Sequence, residues 1–208
     1  MSMLSRNARC TSILFAMSKS YPSELKWRWV LPDGTRILIR PIRAEDSRIE
    51  QQFVRALSNE AKYFRFMGGL NELSPSMLKR FTDIDYDREM ALIALITEPA
   101  EEKEIAVARY VTEPDGKSRE FAIVVADAWQ HRHIGTTLMI CLMQAAHSRG
   151  LQVMNGFVLA NNRKMLNMMS ALGFQILRLE DDPKLEKVSR RLDLDTLPAL
   201  PAEVRPVA

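Results

Sequence analysis

The segment Arg119 to Gly150, REFAIVVADAWQHRHIGTTLMICLMQAAHSRG, restricts the possible folds of this chain more than any other stretch. Phe121 to Val125 is a β-branched run with the character of a buried strand. After a short polar loop, Ile134, Leu138, Cys141, Leu142 and Ala145 recur at helical spacing, so an amphipathic helix is expected from Ile134 until Gly150 stops it. The loop therefore joins a strand to a helix. Such a junction aims several free backbone N–H groups and the positive end of a helix dipole at one point, which suits a diphosphate.

Around this segment, 208 residues with 47% apolar content can bury one substantial core, which predicts a single domain with extra ends. No apolar run approaches the ~20 residues of a membrane span, so no membrane partner is expected. Cys10 and Cys141 make no disulfide framework, and Cys141 falls in the apolar stripe of the helix; a reducing cytoplasm is the expected location. The net charge of +3 is small, and much of it lies where Arg6, Arg9, Lys19, Lys26 and Arg28 face only Glu24. A nucleic-acid footprint needs a denser basic face, so no nucleic-acid partner is expected. Residues 1–24 are Ser-rich, with an apolar patch only from Ile13 to Met17, and read as a disordered or mis-started extension. Pro198, Pro201 and Pro206 predict a flexible tail over 196–208.

Between these ends the pattern of elements is regular. Trp27 to Leu31 and Arg36 to Arg40 flank Pro32-Asp33-Gly34-Thr35, which predicts a hairpin, and Pro41 ends its second strand. Glu45 to Leu57 and Asn59 to Met67 read as helices, the second carrying Tyr63, Phe64 and Phe66, which are expected in the core. Ser74-Pro75 predicts an N-cap and a first-turn proline for a third, short helix. Met90 to Thr97 and Ile105 to Thr112 follow as strands, joined by an acidic turn over Glu98 to Glu104. After the long helix come a strand over Leu151 to Leu159, a helix over Arg163 to Leu172, a strand over Phe174 to Leu179 and a last strand from Val188 to Leu194. Up to the central strand the order is strand, helices and an antiparallel meander.

Gln130-His131-Arg132-His133-Ile134-Gly135 resembles the Q/R-x-x-G-x-G/A acetyl-CoA loop of the GNAT N-acetyltransferase superfamily, with His133 standing where that pattern usually has its first glycine. Asn162-Arg163-Lys164-Met165 through Leu172-Gly173-Phe174 is similar to a second segment of the family, N-x-x-A/M then L-G-F. The stretches LPDGTRILIRPIRAED, YFRFMGGLNELSP and TDIDYDREMALIA look like the acetyltransferase domain of bacterial protein lysine acetyltransferases of the Pat type. The resemblance implies an α+β fold of α/β/α layers over residues 25–195: the GNAT acyl-CoA N-acyltransferase fold, whose mixed, mostly antiparallel central sheet is flanked by helices. Pat-type domains are usually fused to a large acyl-CoA-synthetase-like or nucleotide-sensing domain, and neither is expected within these residues.

The same resemblance implies an enzyme that moves an acetyl group from acetyl-CoA to a primary amine, with a protein lysine as leading acceptor. Polyamines, amino acids and aminoglycosides are the small-amine alternatives, and a non-catalytic acyl-CoA-binding module is a third reading. It implies that Gln130, His131, Arg132, His133, Ile134, Gly135 and Thr136 hold the diphosphate. The main chain of Ile123, Val124 and Val125 would pair with the pantetheine arm, and one of its N–H groups would polarise the thioester carbonyl. Asn162 would touch the cofactor near the next helix start; N-capping is its alternative role.

A lysine ammonium of pKa ~10.4 presents a free lone pair in only about one molecule in a few thousand at neutral pH, so a base is needed. Glu120, ten positions before Gln130, matches the early-strand glutamate of the family. It shares a strand face with Ala122 and Val124, and desolvation there is expected to raise its pKa towards the working range; a solvated strand-end glutamate is the alternative. Where many relatives carry a tyrosine acid, this chain has Met169, so no general acid is assigned and water or Ser170 is left to meet the thiolate. Asp83, Asp85, Asp87 and Glu89 read either as a lure for a cationic acceptor or as a solvated turn. His131 and His133 lack the spacing of metal ligands, so no metal is expected. The sequence leaves monomer and dimer equally open.

Overall fold

The structure, a computed structural model, describes residues 20–97, 101–112 and 118–207. Among these residues the chain forms β1 (Trp27–Val30), β2 (Arg36–Pro41), α1 (Ser47–Ala56), α2 (Asn59–Phe66), α3 (Pro75–Thr82), β3 (Glu89–Thr97), β4 (Glu102–Thr112) and β5 (Ser118–Val125). Then follow α4 (Ile134–Ser148), β6 (Val153–Leu159), α5 (Arg163–Ala171), β7 (Gln175–Arg178), β8 (Leu185–Arg191) and β9 (Arg205–Pro206). The strands make one sheet in the order β7-β8-β6-β5-β4-β3-β2-β1-β9. Every neighbouring pair is antiparallel except β5 with β6, which α4 joins as a parallel crossover.

Two apolar layers form because β3 is buried on both faces, which is why it reads as a continuous apolar run. Met90, Leu92, Ala94 and Ile96 join the layer that contains α4 and α5 residues, whereas Ala91, Ile93 and Leu95 join the layer built with α1 to α3. Helices thus cover both faces. A bulge at Ile105 interrupts the β3–β4 register between Ala94↔Ala106 and Leu95↔Glu104.

Local chemistry explains most boundaries. Ser58 and Ser74 cap α2 and α3 by accepting from the N–H groups of Ala61 and Met77, and Pro75 opens α3 as expected. Gly173 stops α5 at φ +76, a left-handed conformation that costs an ordinary residue about 1 kcal/mol or more. In the segment after β2, the buried Arg40 guanidinium makes two hydrogen bonds to Asp46, at 2.6 and 2.8 Å, and a third to Glu102 at 3.1 Å. This clamp fixes the start of α1 against β4.

Three expectations differ from the structure. The long helix α4 is buried on most of its surface, Met139, Ile140 and Met143 included, because the sheet lies on one side and other members of the same apolar cluster, among them Leu25 and Val204, close around it. The presumed flexible tail over 196–208 is tied down: β9 pairs with β1 through Trp27↔Pro206, and Val204 is only 6% exposed. Prolines tolerate this edge position because an edge strand leaves half of its N–H groups unused. The extension over 1–24 falls outside the described residues up to residue 19. Beyond it, Tyr21 donates a hydrogen bond to the Pro41 carbonyl at 3.0 Å and meets Tyr86 edge-on at 5.7 Å, so order begins earlier than residue 25. None of the helices among the described residues is long and apolar enough to cross a membrane.

Candidate active site

The parallel pairing of β5 with β6 is short. It covers only Ser118↔Val153, Arg119↔Met154 and Glu120↔Asn155; beyond Glu120 the two strands part. The edge of β5 from Ala122 to Val125 is therefore free on the β6 side, while its other edge remains paired with β4. A cleft of about 690 Å³ opens along this fork. Its floor is β5 and the end of β6, and its far end is the loop before α4.

Glu120 stands at the fork itself. Alternation along β5 sends Phe121, Ile123 and Val125 into the α4 layer and Val124 into the α1–α3 layer, so Glu120 and Ala122 share the side on which α2 lies. Glu120 is exposed rather than desolvated, because it sits at the lip where the cleft meets solvent. The burial expected of it is thus not provided by the chain alone.

At the other end, Ile134 to Thr136 open α4, and Thr137 is the first residue whose N–H finds a carbonyl of the turn before it, that of His133 at 2.9 Å. No side chain caps the helix, which leaves the N–H groups of its first turn directed at the cleft. Gly135 is buried beneath this turn: a Cβ there would lie 3.3 Å from Val125 Cγ2 and 3.4 Å from Met168 Sδ. Gly135 therefore lets the helix start approach β5 closely. Gln130 closes the loop from the side, its amide donating to the Val125 carbonyl at 3.3 Å.

His131 and His133 adopt φ of +63° and +61°, both left-handed and both exposed. The missing glycine of the loop pattern is thus a residue held in the conformation glycine would prefer, at a cost of about 1–2 kcal/mol. His133→Gly should relieve that strain. We expect the melting temperature to rise by a few degrees, on the scale of ~2–4 °C per kcal/mol for a chain of this size, as read by thermal unfolding monitored by circular dichroism.

Of the residues singled out from sequence, the structure brings Glu120, Ile123, Val124, Val125, Gln130, His131, His133, Ile134, Gly135, Thr136 and Asn162 to this one cleft. Arg132 is the exception. Its guanidinium turns away to Asp33 in the β1–β2 hairpin at 2.7 Å and lies 5.0 Å from the centroid of Trp129. Asn162 caps α5 through Oδ1, which accepts from Met165 N at 3.1 Å, while still lining the cleft. Met169 is fully buried and Ser170 is not among the cleft-lining residues, so neither faces the site as a proton donor. No three His, Cys, Asp or Glu side chains come together as metal ligands among the described residues.

The opposite wall was not legible from sequence. It comes from α2, which contributes Glu60, Phe64, Arg65 and Phe66, and from Met67 at its end; Phe64 and Phe66 are therefore cleft residues rather than pure core. Residues 83–89, rich in acid, line none of it. Asp85 instead caps its own turn, accepting from the N–H groups of Asp87 and Arg88 at 3.0 and 2.8 Å. Behind α2 lie the buried side chains of Glu50, Glu104 and Arg109. Burial pushes both carboxyls up, and the neighbouring Glu50 pushes Glu104 further; burial also lowers the Arg109 guanidinium.

The family model of the acetyltransferase (GNAT) domain matches residues 36–175, which span the strand fork, the start of α4 and Glu120. The chain belongs to the GNAT acetyltransferase family. It is 38% identical over 156 residues to an acetyltransferase of Pseudomonas aeruginosa, covering 75% of this chain and 84% of that one. It is 30% identical over 171 residues to the acetyltransferase Pat of Mycolicibacterium smegmatis, covering 82% of this chain but only 49% of Pat. Among solved structures, the GNAT domain of S. lividans PAT superposes with a TM-score of 0.74 at 27% identity, covering 83% of this chain and 99% of that domain. The cAMP-binding acyltransferase from Mycobacterium smegmatis superposes with a TM-score of 0.57 over 85% of this chain and 50% of its own. This GNAT protein is therefore an acetyltransferase built, among the described residues, on a nine-stranded, mostly antiparallel sheet.

Proposed function

We propose that this protein transfers an acetyl group from acetyl-CoA to a lysine side chain of a protein in the cytoplasm, by direct attack of the amine on the thioester. The observation that carries the reading is the fork between β5 and β6, with Glu120 at its closed end and the uncapped start of α4 at its open end. From Glu120 to Val125 the strand spans about 17 Å at ~3.3 Å per residue, comparable with an extended pantetheine arm.

In this reading the diphosphate rests on the N–H groups of Ile134, Gly135 and Thr136, with Gln130, His131 and His133 around it and Asn162 and Lys164 on the facing wall. Main-chain groups of Ile123, Val124 and Val125 pair with the arm, and an N–H of that edge polarises the thioester carbonyl as charge develops on its oxygen. Glu120 takes one proton from the incoming ammonium, the free amine attacks the carbonyl carbon, the C–S bond breaks to release CoA thiolate, and the second proton on the new amide nitrogen passes to the thiolate or to water. With a thiol pKa of ~8.5, the thiolate leaves without a dedicated acid, in keeping with Met169 standing where many relatives carry a tyrosine. Arg132, engaged with Asp33, has no part in holding the cofactor.

A protein acceptor is favoured by the lip of the cleft beside Glu120. Met67, which lines the cleft at the end of α2, is 47% exposed, and Val111, paired with Glu120 across β4 and β5, is 38% exposed. An open apolar lip suits a polypeptide surface better than a small, soluble amine. The similarity to Pat and to the GNAT domain of PAT supports the same choice. The test is transfer from acetyl-labelled CoA into a bacterial lysate, followed by separation of proteins from small molecules. Label on protein lysines is the expected result; label confined to metabolites overturns the protein acceptor, and bound cofactor with no transfer at all overturns the enzyme.

A further inference from the structure

Arg65 lies in the last turn of α2 and lines the cleft. Its place along the cleft follows from the cap of that helix. Ser58 binds Asp127, just beyond the end of β5, through both its N–H and its hydroxyl, at 3.0 and 2.7 Å. The helix therefore runs back along β5, away from the α4 loop and towards Glu120, whose carboxylate is one of the charges acting on Arg65.

The Arg65 guanidinium lies 5.0 Å from the ring centroid of Phe66 and 5.9 Å from that of Phe81, and neither ring offers a hydrogen-bond acceptor of full strength. Among the described residues it makes no hydrogen bond and no ion pair. Of the groups behind it, Glu50 attracts it but makes no ion-pair contact with it. Arg109 repels it and is itself engaged, donating to the Phe81 carbonyl at 2.6 Å. Burial raises both the Glu50 and the Glu104 carboxyl. Burial, together with Arg109, pulls Arg65 itself down to about 10, which still leaves it charged at neutral pH.

A planar, five-donor cation held against aromatic rings in a partly desolvated wall is stabilised by an anion that matches its fork. Glu50 and Glu120 act on it only through space, and no carboxylate among the described residues forms an ion pair with it, so the matching anion comes with a ligand. A cofactor phosphate at the α4 loop would sit at the other end of the cleft, because α2 carries Arg65 away from Asp127 and towards Glu120. The acceptor is the remaining source.

We propose that Arg65 is a carboxylate-binding subsite for the acceptor, so that the amine acetylated by this protein has a carboxylate close to it in the same molecule. This rests on the amine-acetyltransferase reading above. The ammonium then meets Glu120 while the carboxylate meets Arg65, two opposite charges on the two sides of one cleft. The carboxylate belongs either to an Asp or Glu flanking a target lysine or to a free amino acid.

Two matched acceptor pairs decide the matter with the full chain. One is a lysine peptide with flanking glutamate against the same peptide with glutamine; the other is free lysine against lysinamide. CoA release gives kcat/KM for each, and calorimetry gives binding. We expect the carboxylate member of one pair to be preferred roughly 10-fold or more, mainly through KM, and the pair that shows it identifies the source. In Arg65→Gln that ratio should fall to about one, and in Arg65→Lys it should be intermediate, because a point charge lacks the fork. Turnover of all four acceptors without preference in the unaltered protein overturns the subsite and leaves amine acetylation standing. A preference that survives in Arg65→Gln, or an equal loss on both members with a shifted pH profile, also overturns it. No turnover and no binding of any acceptor overturns the acetylation reading, and the subsite with it.

Discussion

Replacing Glu120 with glutamine should lower turnover about 10²-fold or more at neutral pH while leaving acetyl-CoA affinity within about twofold. The substitution keeps the size and the hydrogen-bonding reach of the side chain but removes its ability to accept a proton. Because Glu120 sits at the fork where β5 leaves β6, it lies beyond the strand edge proposed to bind the cofactor, and its loss should not disturb that edge. The pH dependence carries the diagnosis. Without a base in the site, the rate follows the supply of free amine from solvent, so it should climb roughly tenfold per pH unit up to the acceptor's own pKa of ~10.4. The unaltered protein should show a shallower rise. Initial rates of CoA release between pH 7 and 10, with calorimetric titration of acetyl-CoA, check both halves. A variant that keeps most of its neutral-pH turnover would remove Glu120 from the chemistry.

The second large effect is expected at Gly135. A leucine there cannot be placed without displacing Val125 or Met168, since even its Cβ would stand 3.3 and 3.4 Å from them. The start of α4 must then lift from β5, or the side chain must enter the space proposed for the diphosphate. Either way the convergence of N–H groups is lost. Charge-assisted hydrogen bonds are worth about 1.5–3 kcal/mol each, so losing one or two should weaken acetyl-CoA binding by about 10²-fold or more. Gly135→Ala is the control for folding: alanine favours the helix by about 1 kcal/mol over glycine, and the tight contact needs a shift of only a few tenths of an ångström. The alanine variant should stay folded and bind acetyl-CoA with only a small loss. Calorimetry of both variants, with circular dichroism to establish that each is folded, separates a blocked cradle from a collapsed one.

The placement of these two residues explains why so much of the site could be read before the fold was known. Phe121 to Val125, the loop to Thr136 and the helix beyond it are contiguous, and a strand–loop–helix junction is set by residues within a few positions of one another. The N-caps Ser58 and Ser74 are likewise local events. The face on which Glu120 projects follows from alternation alone, and the layers confirm it by sending Val124 one way and Ile123 the other. The left-handed backbone at His133 is the tertiary answer to a local puzzle: the pattern asked for glycine, and the loop holds histidine in glycine's conformation.

Where the reading from sequence went astray, the deciding contact joined distant parts of the chain. Arg132 belongs to the loop by position, yet Asp33, 99 residues earlier, takes its guanidinium. The C-terminal prolines predict freedom, yet Val204 has an apolar site to fill and Trp27 an open strand edge to offer. Glu120 was expected to be desolvated by its strand neighbours, yet its exposure depends on where β6 diverges. Arg65 carries no local sign that it faces a cleft, because only the cap contact between Ser58 and Asp127 turns α2 along β5.

By itself, the order of residues determined the sequence of strands and helices, because periodicity, turn chemistry and capping act over a few neighbours, while the loop and the mixed sheet were implied by the resemblance to the family. Tertiary structure alone decided which side chains enter the cleft, how exposed the carboxylate is and which cation goes without a partner. Those are properties of the space between elements far apart in the chain, and burial, charge neutralisation and strand divergence leave no mark on the local pattern.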